Sequence, residues 1–222
     1  MPTTTMDPAP PAPRKGELTR RRIVERAAPV FNQRGYAGTS LSELVAATGL
    51  EKGGIYNHFG SKDELALAAF DYAVELVAAR NVEAQNGRVG LDRLVGLIES
   101  FASWVDDPVI PGGCPLMNTA IDSDDTHPEL ARRAKDAMND WQRLIGVIVK
   151  DAKQRGELRA DVDPYALATL VTGGLDGSLM LTKVTGDPAH VRRMVAHLAA
   201  HVEALRVAPS ASSAAPTGGH DR

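Results

Sequence analysis

One thiol, Cys114, is all that the 222-residue chain offers for sulfur cross-linking. No internal disulfide framework can form, and such cysteine usage fits a reducing cytosol. No apolar run approaches the roughly 18 to 20 residues that a membrane-spanning helix needs, and no basic region followed by an apolar stretch stands at the N-terminus. A cytoplasmic protein without a membrane partner is therefore expected. Period-two alternation is almost absent, which argues against sheet architectures. Equally missing are a metal-ligand cluster, a phosphate-cradling glycine loop on a strand, and a recognisable nucleophile with its base. No cofactor and no enzymatic activity are expected, and a small-molecule-metabolising α-helical enzyme is kept only as an alternative.

What is present is an ordinary soluble composition, 43% apolar and 24% charged, in a chain long enough for one large domain or two small ones. Five of its 14 prolines fall within the first 13 residues. That segment has too few large apolar residues to offset the entropy of ordering, so residues 1–16 read as a disordered arm and residues 207–222 as a disordered tail. The net charge of -3 hides an asymmetry: up to Lys62 there are nine Lys/Arg against five Asp/Glu, and beyond it 16 against 23. A basic N-terminal third on an acidic body points to one end meeting a polyanion such as nucleic acid.

Apolar residues recur at three- and four-residue spacings in nearly every segment, which predicts an all-α fold of about nine helices. The first is expected to start with Thr19 as N-cap, to bury Ile23, Val24, Ala27, Val30 and Phe31, and to end at Gly35, with Pro29 bending or loosening it. Ser40-Leu-Ser-Glu43 and Ser61-Lys-Asp-Glu64 both fit the Ser-x-x-Glu capping box. They predict a short helix through about Thr48, closed by Gly49, and a long helix from Ser61 to about Gln85. Between them lies a second short helix, about Glu51 to Asn57. Further helices are expected over Leu91–Val105, from Pro115, over Pro128–Arg155 with Gly156 as the stop, from Asp163-Pro164 to about Thr185, and from Asp187-Pro188 to about Arg206.

The two short helices around Gly49 form a helix-turn-helix unit at about residues 40–59, whose second helix is suited to the DNA major groove. Two adjacent glycines, Gly53 and Gly54, weaken that helix by about 0.8 to 1 kcal/mol each. Their use is to remove side chains that would hold the backbone away from base edges. Ile55 and Phe59 then supply packing.

These residues carry a specific resemblance. Phe31, Gly35-Tyr36, Thr39-Ser40, Gly49, Gly54-Ile55-Tyr56, His58-Phe59, Ser61-Lys62 and Leu65, at their spacing, resemble the DNA-binding domain of the tetracycline-repressor (TetR) family of transcription regulators over about residues 17–77. The resemblance implies that Lys52, Gly53, Gly54 and Asn57 face the groove and that Thr39, Ser40, Tyr56, His58 and Lys62 touch phosphate. Chemistry agrees for several: Lys52 suits guanine acceptors, Asn57 offers paired donor and acceptor, and Lys62 adds charge where helix amides already attract phosphate. His58 either joins them or only packs at its helix junction. A small hydroxyl residue is frequent in the family where Gly54 stands, so one contact is missing there.

For residues 78–206 the resemblance implies architecture only, a helical ligand-binding and dimerisation domain. Leu167, Leu170, Val171, Leu175 and Leu179 with Gly174, flanked by Gly173 and Gly177, are expected at a homodimer interface, against the alternative of packing within one subunit. Phe101, Trp104, Cys114, Met117, Met138 and Trp141 are the residues expected to line an apolar effector pocket, or to be plain core. Cys114 before Pro115 reads as an N-cap thiol, either activated as a sensor by the helix end or buried and inert. His197 and His201, four apart, have no accompanying ligands for a metal site. The expected function is a homodimeric transcriptional repressor, released from double-stranded operator DNA by a small-molecule effector or by Cys114 modification. A sequence-nonspecific architectural DNA binder is the other alternative.

Overall fold

A computed structural model describes residues 14–207, so the expected arm and tail lie outside the described residues except at 14–16 and 207. Among the described residues there are nine α-helices and no named strand: α1 (Lys15–Gly38), α2 (Leu41–Thr48), α3 (Lys52–Tyr56), α4 (Lys62–Gln85), α5 (Leu91–Ser100), α6 (Pro115–Ser123), α7 (Pro128–Gln154), α8 (Pro164–Thr185) and α9 (Ala189–Ala204). The all-α expectation holds. One isolated antiparallel bridge joins Leu158 to Arg206 and ties the α7–α8 loop to the end of α9.

Local chemistry sets most of the boundaries. Ser40 caps α2 in a complete capping box, and Gly49 ends the helix in the left-handed conformation at φ 68°. Ser61 caps α4 by accepting from the Glu64 amide, but Glu64 turns its carboxylate to the Gly60 amide, 2.8 Å away, so that box is only half formed. Asp163 caps α8 with Pro164 in the first turn, as expected, and Gly186 closes it. The last helix begins one residue later than its Asp-Pro signal, with Pro188 at the cap position and Asp187 accepting from the Ala189 amide.

Helix α1 departs from expectation at both ends. It starts at Lys15 because Glu17 reaches back to accept from the Arg14 amide at 2.7 Å, which leaves Thr19 inside the helix, bonded to the Lys15 carbonyl. Three residues of the expected arm are thus ordered. Pro29 does not break it; the irregular residue is Gly35, at φ 73° and ψ 171°. The expected continuous helix to Val105 also divides, α5 ending at Ser100 and a 3-10 turn running over Phe101–Val105.

The apolar side chains sort into two main cores. A small one in the N-terminal head joins Ile23, Val24, Ala27, Leu44, Ile55, Phe59 and Leu65 from the first four helices. A large one in the body is built from α5 to α9 around Leu91, Leu94, Ile145, Ile148, Val171 and Val191. Helix α4 serves both, with Leu65 in the head core and Val74 and Val77 packed on the body core.

Candidate nucleic-acid interface and internal cavity

Helix α3 is only five residues long, and Ile55, 2% exposed, with the following Phe59 anchors it to the head. The Arg20 guanidinium lies 4.3 Å over the Phe59 ring and closes that anchor from outside. With its apolar side so fixed, α3 turns Lys52, Gly53, Tyr56 and Asn57 to solvent. None of the three side chains, those of Lys52, Tyr56 and Asn57, makes a hydrogen bond or ion pair among the described residues; Lys52 Nζ simply stands 5.9 Å above the Tyr56 ring. A Cβ at Gly53 would meet nothing within 4 Å, and one at Gly54 only the Leu50 side chain at 3.4 Å. The fold itself therefore has no need of glycine at 53.

The residues expected on phosphate divide. Ser40 is exposed at the start of α2, but its hydroxyl is shared with Glu43 and Ser42. His58 is half-buried at the end of α3, beside the exposed Tyr56. Thr39 needs a correction: its side chain is 2% exposed and its hydroxyl donates to the Gly35 carbonyl at 2.7 Å. It locks the end of α1 rather than presenting a hydroxyl outward. Lys62 is likewise engaged, donating to the Tyr36 carbonyl at 2.6 Å with its ammonium 4.4 Å over the Tyr36 ring. Two ammonium protons remain for an outside acceptor. The Tyr36 hydroxyl donates to Asp63, and that bond, with burial, pushes the phenol up to about 12.

Sequence reading passed over Arg22 and Arg26. They border a shallow groove with Ala46, Thr48 and Gly49 at the end of α2, and neither has an acidic partner among the described residues, whereas Arg20, Arg21 and Arg34 are paired. Arg22, Arg26 and Lys52 thus add to the positive charge on the head that has no ion-pair partner among the described residues, with Arg14, Lys15 and Lys62. The signal was present in the run Arg20-Arg21-Arg22, of which the fold leaves one guanidinium free.

In the body, a cavity of about 310 Å³ opens between α4, α7 and α8. Phe101, Trp104, Cys114, Met138 and Trp141 all line it, five of the six residues expected there; Met117 instead lines a second cavity, of about 320 Å³, between α1, α4 and α6. Phe101 and Trp104 stack at 4.3 Å, and Trp141 fixes its ring by donating to Thr172 Oγ1 at 3.0 Å. Five further polar residues on the wall escaped sequence reading: Asn81, Gln85, Asp140, Thr172 and Asp176. Asn81 Oδ1 and Trp104 Nε1 are buried without a hydrogen-bond partner among the described residues.

Cys114 is the N-cap of α6, as expected, yet its thiol is not activated. Burial and the neighbouring Asp176 carboxylate push its pKa far above the usual thiol range, which disfavours the thiolate. Of the two readings offered by the sequence, this geometry favours the buried, inert thiol. From Cys114, α6 runs toward the head. Asn118 Nδ2 donates to Asn32 Oδ1 at 3.1 Å and Asp122 accepts from the Tyr36 amide at 2.6 Å, so the cavity wall and the break in α1 share one short helix.

The expected interface residues also need correction. Leu167, Val171, Leu175 and Leu179 are buried in their own subunit's core, and Gly174 lets α9 approach, since a Cβ there would press on Leu198 and Met194 at 3.2 Å. The opposite side of α8 has no partner among the described residues, with Leu170, Met180, Leu181 and Val184 exposed and Gly173 and Gly177 between them. The periodicity of α8 is apolar on two sides, and the residues named from sequence fall on both: Leu167, Val171, Leu175 and Leu179 pack within the subunit, whereas Leu170, Gly173 and Gly177 lie on the outer side. His197 and His201 stand exposed on the outer face of α9, near Ala196 and Ala200.

Comparison with known proteins agrees with this division into head and body. A family model described as "Bacterial regulatory proteins, tetR family" matches residues 23–69, and one described as "Tetracyclin repressor-like, C-terminal domain" matches residues 90–198. An HTH-type transcriptional regulator of Mycobacterium tuberculosis is 30% identical over 179 residues, covering 76% of this chain and 86% of that one. The crystal structure of a TetR transcriptional regulator from Chloroflexus aurantiacus superposes with a TM-score of 0.84 at 42% identity, covering 88% of this chain and 100% of that one. A TetR-family regulator from Cytophaga hutchinsonii gives 0.81 at 32% identity, with 90% and 100% covered.

Proposed function

The chain belongs to the TetR family of DNA-binding transcriptional regulators, and from that premise we propose that it is a homodimeric repressor released from its operator by a small molecule held in the body cavity. One observation carries the DNA-reading assignment: α3 presents Lys52, Gly53, Tyr56 and Asn57 outward with no work to do inside the fold. Side chains of that chemistry on a helix held rigid by Ile55 and Phe59 suit base edges in a major groove. Arg22, Arg26, Lys62 and the Ser40 turn supply phosphate contacts around it. The family's regulators are not enzymes, and the alternative of a small-molecule-metabolising protein falls away with that.

Dimerisation is supported by the exposed apolar side of α8, where Val184 is 78% exposed. Small residues at Gly173, Gly177, Ala196 and Ala200 let helices from a second copy lie close. Two recognition helices about 34 Å apart would then address successive major grooves. Repression, rather than activation, is supported by the repressor-like body model. Release follows if the ligand prefers a conformation in which α6 has moved Asn118 and Asp122, because both bond directly to α1.

Footprinting on DNA flanking the chain's own coding region tests this reading. A protected near-palindrome of two half-sites is expected. Val184→Asp should convert the dimer to monomers by sedimentation and cost most of the operator affinity; a variant that stays dimeric places the interface elsewhere.

A further inference from the structure

The lining of the body cavity contains two carboxylates, Asp140 and Asp176, and no lysine, arginine or histidine. Asp140 is spoken for, since it pairs with Arg143. Asp176 is partly buried beside the Cys114 thiol, which hydrogen-bonds to it, has no cationic partner among the described residues, and burial raises its carboxyl above the ordinary range. Asn81 Oδ1, on helix α4, is a buried acceptor with no donor among the described residues. Gln85 and Thr172 are paired with Arg93 and Trp141, and the rest of the wall is apolar, with the stacked Phe101 and Trp104 and the tilted Trp141 ring at 6.3 Å from Phe101. Polar atoms that are buried and unpaired are costly, and a cavity that keeps them is shaped for a ligand that supplies the missing groups.

Resting on the reading of this cavity as the effector site, we infer that its ligand is a compact lipophilic amine, bound as the cation. An ammonium brings up to three N–H donors to Asp176 and Asn81 Oδ1, where an alcohol brings one and a carboxylate none. It also brings the positive charge that Asp176 lacks, and the indole and phenyl faces of Trp104, Trp141 and Phe101 attract a desolvated cation. Anionic ligands are excluded by the same inventory, because nothing on the wall would neutralise them. The volume, at the low end of the range for ligand sites, limits the apolar portion to about one ring and a short chain. Trp104 Nε1, a fully buried donor on the wall with no partner among the described residues, is left for an oxygen of the ligand.

The chain's two tryptophans, Trp104 and Trp141, both line this cavity, so intrinsic fluorescence reports on its occupancy directly. The full chain at neutral pH is titrated with three probes of one shape: phenylbutylamine, phenylbutanol and phenylbutanoate. The amine should quench with an affinity about tenfold tighter than the alcohol, the difference between a charge-assisted and a neutral hydrogen bond, and the carboxylate should not bind. Asp176→Asn should bring the amine down to the level of the alcohol while alcohol binding persists, which shows that the cavity is still formed. Equal affinity of alcohol and amine, tightest binding by the carboxylate, an amine advantage that survives Asp176→Asn, or no quenching by any probe overturns the inference. Operator binding is measured in parallel. Asp176-dependent amine binding that leaves DNA affinity unchanged supports the ligand class and removes the effector-release reading instead.

Discussion

The head and the body are both small-helix assemblies around an apolar core, yet they keep their functional residues in opposite places. In the head, the residues suited to DNA are those the fold does not use: Lys52, Tyr56 and Asn57 are exposed, and Gly53 faces open space. In the body, the residues suited to a ligand are the fold's own wall, Phe101, Trp104, Cys114 and Trp141, which are counted in the core or packed on it. A surface site is free to carry a recognisable pattern because packing does not compete for its residues. A cavity site has to satisfy packing as well, and its pattern is hidden in ordinary core composition.

The strongest way to break this contrast is to remove the head's anchor. Phe59→Ala should cost about 3 to 5 kcal/mol. DNA binding should be lost, while tryptophan fluorescence, which reads the body alone, still shows a cooperative transition. A single transition at the lowered temperature in both signals would mean that α4 welds the two cores into one unit.

Next in size comes the division among the cations. Lys52→Ala is expected to lose about 1 to 3 kcal/mol of operator affinity and to relax preference at one or two base pairs, with no change in Tm. Lys62→Ala should weaken binding to all sequences alike, and it should also lower Tm, because its bond to the Tyr36 carbonyl and its place over the Tyr36 ring are lost. Identical profiles for the two would erase the distinction between unused and engaged residues.

Gly53→Ala sharpens the comparison with a smaller effect of two signs. The added methyl meets no neighbour and the backbone there is helical, so stability should rise by up to about 1 kcal/mol. Operator affinity should fall, since the methyl stands on the face offered to the groove. A more stable protein with undiminished affinity would show that close approach at residue 53 is not required.

The smallest expected change is in the body and depends on pH. Burial raises the Asp176 carboxyl, so the folded state holds its proton more tightly than the unfolded chain does. Stability then falls as pH rises from the ordinary carboxylate range through the raised value. Asp176→Asn should melt higher than the parent at neutral pH, and the gap should close toward acid; thermal melts of both across pH decide it.

How far the fold could be read in advance follows the same division. Local signals held wherever they were self-contained: the Ser40 box, the Gly49 turn and the Asp163-Pro164 start all lie where side-chain chemistry places them. They failed where a competitor existed. Thr19 was outbid as a cap by Glu17 reaching Arg14, and Glu64 found the Gly60 amide instead of completing its box. Thr39 and Lys62 had internal partners, Gly35 and Tyr36, that only the folded chain brings near. The apolar faces of α8 could not be told apart because both are apolar, and which one meets α7 and α9 is a property of the assembled body. Asn81 and Asp176 had no sequence signal, since their meaning comes from the burial of an unpaired amide oxygen and of a carboxylate without a cation.

Helix α4 is a single rod of 24 residues, about 36 Å long at 1.5 Å per residue. Its far half carries Val77 and Asn81 on the cavity wall, and its near end sits directly after the recognition helix. A rod of that length multiplies angle into distance: pivoting by about 5° at the cavity end sweeps the Lys62 end through about 3 Å. In a two-fold pair the displacements add, and the separation of the reading heads changes by up to about 6 Å against the 34 Å repeat of the duplex. For the proposed dimer, a ligand that does no more than wedge two side chains apart would therefore be mechanically sufficient to throw the pair out of register.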